Sequence, residues 1–140
     1  MCPLVKRVVG IIGLVAILAG AVYLVRLYST WSVNARTAKF NADVENLFAG
    51  LQQYKENVGS YPIGSNSDII KMMQGNNPKK LIILVSRKAE LNDKGEILDP
   101  WGTPLRIYFS DAGVLVRSAG PNRRFDDSTV MNSDDFFRSN

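Results

Sequence analysis

Histidine is absent from the 140 residues, and cysteine occurs once, at Cys2. Without histidine the chain lacks the commonest general base, the Ser-His and Cys-His nucleophile pairs and the commonest transition-metal ligand. One cysteine excludes an intramolecular disulfide and a thiolate metal cage. Cys2 also lies ahead of the apolar run rather than behind it, so it is not placed as a lipoprotein cysteine and reads as an incidental thiol. There is no nucleophile elbow, no phosphate-cradling glycine loop, no internal repeat and no low-complexity tract. No enzyme and no small-molecule substrate are expected.

A large excess of one charge is also missing. The formal net charge of +4 comes from 17 basic and 13 acidic residues. Three of the basic ones, Lys6, Arg7 and Arg26, lie in the first thirty positions with no acidic residue beside them. The remainder is nearly neutral, so nothing marks a nucleic-acid-binding face.

What the sequence does have is Val8 to Val25, eighteen consecutive residues without a charge. As a helix this run spans roughly 27 Å, close to the hydrocarbon thickness of a bilayer. Lys6 and Arg7 before it and Arg26 after it can reach the headgroups. The run is longer than the apolar part of a usual secretory signal, and its small-residue pattern Ala19-Gly20-Ala21 lies inside it, which favours a retained single-pass anchor. Lys6 and Arg7 place the short tail in the cytoplasm. Residues 1–26 are then tail and membrane helix, and residues 27–140 leave roughly enough chain for one small domain.

Between Arg26 and Asn57 there is no proline, and Gly50 is the only glycine, so nothing stops the helix at the membrane surface. Val44, Leu47, Leu51, Tyr54 and Val58 recur every three or four residues, flanked by Phe40 and Phe48, which makes an amphipathic continuation whose apolar face packs on the domain. Trp31, Ala35, Ala38 and Ala42 form a second line of mostly small residues, a candidate packing surface for neighbouring copies. Gly59 and Pro62 end the helix near Asn57.

Further on, Ser67-Asp68 reads as the cap of a short helix over Ile69 to Gln74, and Leu81 to Ser86 as a buried strand or a helical turn. Ile97-Leu98 suits a short edge strand. Leu105 to Ser110 and Val114 to Ser118 are the clearest strands, joined by Asp111-Ala112-Gly113 as a hairpin. The fold class is α+β, a long N-terminal helix packed on a small antiparallel sheet.

Two stretches are candidates for chemistry. In Asp99-Pro100-Trp101-Gly102-Thr103-Pro104, Trp101 serves either as an exposed stacking surface or as cover for the hairpin and the long helix, with Asp99 capping the turn. In the tail, Asn122, Asp126, Asp127, Asp134 and Asp135 set five oxygen-bearing side chains within fourteen residues. Such a loop either gathers its oxygens around a hard cation such as Ca²⁺ or pairs them with Arg123, Arg124 and Arg138; the spacing is not that of an EF-hand. Phe125, Phe136 and Phe137 are possible packing anchors.

A membrane helix continuing into a small domain, then Gly59 to Pro62 (Gly-Ser-Tyr-Pro), Asp99 to Pro104 (Asp-Pro-Trp-Gly-Thr-Pro), a strand pair and Ser118-Ala119-Gly120-Pro121-Asn122, resembles the type IV pilin-like proteins. Within them the chain is most similar to the major pseudopilin of type II secretion. The resemblance implies a structural subunit of a bacterial inner-membrane assembly with a periplasmic domain, joined through its N-terminal helix to copies of itself or to other pilin-like subunits. It also implies a calcium loop, with Asn122 at the place of a loop aspartate and Asp134-Asp135 matching the later acidic pair; Asp126 and Asp127 fall in a region longer than the family's. The family's N-terminal motif departs here: the fifth residue after Gly10 is Val15, after Gly13 it is Leu18, and the first glutamate is Glu45. That departure motivates an alternative, a membrane-anchored binding module that keeps the fold and never enters a fibre.

Overall fold

The computed structural model describes residues 3–84, 90–126 and 133–140. Cys2, Asp127 and the end of the expected strand at Val85-Ser86 lie outside them. One helix, α1 (Pro3–Val58), is followed by the short α2 (Asn66–Met73) and three strands, β1 (Arg106–Ser110), β2 (Gly113–Ser118) and β3 (Phe136–Ser139). The strands form one antiparallel sheet in the order β1-β2-β3. This is an α+β arrangement. The chain divides into two compact units between Ala35 and Arg36.

In the first unit the helix carries aliphatic side chains facing outward, among them Ile12, Val15, Leu18, Val22 and Leu24, all exposed. A helix of this length and apolarity can cross a membrane.

In the second unit the spacing of apolar residues settles the packing. Phe40, Val44, Leu47, Phe48, Leu51 and Tyr54 are all buried and form one side of the core. Ala38 and Ala42 stay exposed, as does Ala35 at the end of the first unit. α1 stops at Gly59, whose φ of 103° lets its N–H return to the Lys55 carbonyl at 2.8 Å. Tyr61 then folds back under the Lys55 ammonium, 4.5 Å from the ring centre, and meets the Phe109 ring at 5.3 Å.

α2 begins three residues earlier than Ile69, because its cap is Ser65 rather than Ser67-Asp68. Asp68 occupies the third helical position and accepts from the Ser65 backbone at 3.1 Å, completing a capping box. Those hydrogen bonds hold its carboxyl below the ordinary value of 3.8. Asn66 sews the helix to the loop ahead of β1: its amide donates to the carbonyls of Ile97 (3.2 Å) and Leu105 (2.7 Å) and accepts from Ile97 N–H at 2.8 Å.

Leu81 to Ser86, expected as a buried strand or a helical turn, is neither within the described residues. Residues 81–84 make only an isolated bridge, Gln74 to Ile82. The N–H groups of Ile83 and Leu84 both turn to the Met73 carbonyl, and Ile82 is left 68% exposed. Ile97-Leu98 likewise makes single bridges, to Leu91 and Pro104, and no strand. The hairpin is as expected, with Ser110 opposite Gly113 across the turn. β3 is an addition, since the sequence marked Phe136 and Phe137 only as anchors. Phe136 does anchor: its ring lies on Trp101 at 5.1 Å, 7° from parallel, and meets Phe40 of α1 at 5.9 Å.

Candidate metal centre

Trp101 is 3% exposed and stacked on Phe136 of β3, so it is a core residue and not a stacking surface for a ligand. Asp99 is what organises its loop. One carboxylate oxygen accepts from the N–H groups of Trp101 (3.0 Å) and Thr103 (2.8 Å). The other accepts the Ser118 hydroxyl at 2.6 Å. Ser118, at the end of β2, in turn accepts from Gly120 N–H at 3.1 Å. Every polar side-chain atom in this buried chain of contacts thus has a partner, and the buried loop is connected to the start of the acidic tail.

Gly120 passes directly under Asp134. Its φ is 64°, and a Cβ placed there would stand 2.1 Å from the Asp134 carbonyl oxygen. Only glycine admits this approach. Beyond it, Asn122 N–H donates to Asp134 Oδ2 at 2.9 Å, and the Asn122 amide reaches Asp126 at 3.4 Å. The Asn122 side-chain oxygen accepts from Arg124 N–H at 2.6 Å, which closes the turn. From the other side, Asp126 N–H donates to Asp135 Oδ1 at 3.4 Å.

The result brings Asp126, Asp134 and Asp135 together, with one carboxylate oxygen from each within 4.8 Å of the others. Asn122 stands beside them with its side chain committed to the loop. Asp127 lies outside the described residues.

The sequence looked to Arg123, Arg124 and Arg138 for a counter-charge. The arginine the fold supplies is Arg117, in the middle of β2. Its Nε donates to Asp135 Oδ2 at 2.5 Å, and the same guanidinium reaches the Asp126 carbonyl. The Asp135 side chain is fully buried by this pairing. Arg138 instead points to α1 and pairs with Glu45. Arg117 could not be read from the tail, because it is brought there by the pairing of Arg117 with Phe137 between β2 and β3.

One guanidinium against three carboxylates leaves the cluster net negative. One oxygen, Asp134 Oδ1, is buried without a hydrogen-bond partner among the described residues. A buried carboxylate oxygen with no donor is costly, and a bound cation is one group that could satisfy it. An all-oxygen donor set suits a hard ion such as Ca²⁺ or Mg²⁺ and not a thiophilic one. No family model, no curated protein and no solved structure matches this chain.

Proposed function

We propose that this protein is a pseudopilin-like structural subunit of a secretion or pilus-type assembly, held in a bacterial inner membrane by its N-terminal helix with residues 36–140 in the periplasm. The observation that carries the reading is α1 itself. A single helix supplies both an apolar segment long enough to cross a membrane and the buried stripe from Phe40 to Tyr54. Ala38 and Ala42, both exposed, offer small side chains for close contact between helices of neighbouring copies.

Asp126, Asp134 and Asp135 hold a calcium ion in this reading, and the ion's contribution is to cross-link a tail that has few apolar side chains of its own. Support comes from the gathered carboxylates and the unpartnered Asp134 oxygen. The alternative, an anchored module that binds a partner without polymerising, is favoured by the position of the first glutamate. Glu45 is exposed on the folded domain and paired with Arg138.

A photoreactive residue in place of Ala38, activated in membranes of the native host, separates the two. A ladder of cross-linked multiples is expected. Cross-links to a single foreign protein, or to none, would sink the fibre reading. Mass measurement of the mature chain adds a second arm, since a start at Ile11 supports prepilin-type processing and an intact Met1 counts against it.

A further inference from the structure

The outward face of β1 is an edge, and its main-chain groups divide sharply into used and unused. Val114, on the neighbouring β2, takes its hydrogen bonds from Asn140: its N–H donates to the Asn140 side-chain oxygen at 2.8 Å, and its carbonyl accepts from Asn140 N–H at 3.3 Å. Val114 therefore faces away from β1. Its partner across the pair is Phe109, so Phe109 turns its own N–H and carbonyl to the open side, and by the alternation of an antiparallel ladder so do Ile107 and Leu105.

Leu105 is satisfied there. Its N–H donates to the Ile97 carbonyl at 3.0 Å, and its carbonyl accepts the Asn66 amide. Ile107 and Phe109 have no such partner among the described residues. The edge is thus paired at its beginning by residue 97 and, among the described residues, left open for the two following rungs.

A groove of about 390 Å³ runs beside these rungs, lined by Ser65, Asn66, Glu96, Arg106, Tyr108 and Phe125. Its charges are not equivalent. Glu96 already accepts from the Asn92 amide at 2.7 Å. Arg106 is exposed, with its guanidinium laid flat on Phe125 at 3.8 Å from the ring centre, and no described carboxylate pairs with it. Arg106 stands directly opposite Arg117 in the β1–β2 register, but Arg117 is paired with Asp135, so Arg106 is the exposed guanidinium of the two. A guanidinium fixed by stacking keeps its N–H edge ready for a carboxylate.

We infer that the open edge of β1 takes up an extended acidic segment of a partner protein as a fourth strand, continuing the line begun by residue 97. Main-chain bonds to Ile107 and Phe109 hold it, and Arg106 selects a carboxylate side chain on the exposed face. The inference does not depend on whether the protein polymerises.

The test uses the full chain in detergent and a synthetic probe, a blocked heptapeptide of alternating threonine and valine with one aspartate at its centre. Three companion peptides carry lysine at the centre, asparagine at the centre, or N-methyl groups on alternate amides. Binding is read by anisotropy of a labelled peptide, and amide exchange is followed at Ile107 and Phe109. The aspartate peptide is expected to bind roughly tenfold more tightly than the lysine peptide and to slow exchange at both amides. N-methylation is expected to abolish binding, because it removes the peptide's ladder donors while leaving its side chains unchanged. Arg106→Gln is expected to bring the aspartate and asparagine peptides within about threefold of each other without lowering the melting temperature. Equal binding of plain and methylated peptides, or no binding up to about 1 mM, overturns the inference. Protection of Ile107 and Phe109 that rises with protein concentration alone overturns it too, in favour of edge-to-edge pairing of two copies.

Discussion

The Ser118 hydroxyl donates to a buried oxygen of Asp99 at 2.6 Å, joining the end of β2 to a loop nineteen residues earlier in the chain. Both residues are buried, and neither has water to fall back on. Ser118→Ala leaves one Asp99 oxygen and the Gly120 N–H without partners, a loss of about 2 kcal/mol. The full chain in detergent should melt roughly 5 °C or more below the parent. A change within about 1 °C would show that the contact is dispensable.

Asp134→Asn should change sign with calcium. In chelator the substitution removes one of three crowded carboxylates, while an amide oxygen can still accept from Asn122 N–H, so the melting point should hold or rise. In calcium the parent gains stability from the bound ion, about 2.7 kcal/mol at a hundredfold excess over the dissociation constant, and the variant does not. Parallel curves for the two proteins, with and without calcium, would remove the ion from the account.

Gly120→Ala tests the loop's closure. The added methyl collides with the Asp134 carbonyl at a φ that also disfavours alanine. A loss of ~3 kcal/mol or more is expected, together with the calcium response. Calcium-dependent melting that survives the substitution would mean that Asp134 is not held where Gly120 puts it.

The Asp68 cap sets a pH dependence of known sign. Its carboxyl is held below the ordinary 3.8 by the Ser65 hydrogen bonds. A group whose folded value is lowered stabilises the fold above the unfolded value, and that contribution disappears as pH falls through the lowered one. Asp68→Asn should therefore weaken α2 near neutral pH, seen as faster amide exchange at Ile69 and Ile70. The difference from the parent should close below the carboxylate range.

What could be read from the sequence was what repeats locally. The stripe from Phe40 to Tyr54 needs only helical spacing to declare which side is buried, and Gly59 supplies the stop in the next residue. The Ser110–Gly113 hairpin is equally local. The short helix was displaced by its cap because Ser65 and Ser67 both precede Asp68, and only the reach of Asp68 back to Ser65 distinguishes them. Leu81 to Ser86 misled because an apolar run says nothing of where its N–H groups go. The carbonyl of Met73 draws those of Ile83 and Leu84 inward and leaves Ile82 outside. The acidic cluster was half visible: the acids lie in the tail, but their arginine lies in β2, and β3, which brings them together, has no alternating pattern to announce it.

The pairing of Arg138 with Glu45 spans 93 residues, and the stack of Phe136 on Trp101 beside Phe40 closes the same gap. The first aromatic of the core is therefore covered by a residue synthesised long after it. Until β3 has been made, Phe40 and Trp101 lack the ring that covers them. Completion of the core is then a late event, because the ring that joins Trp101 to Phe40 belongs to β3.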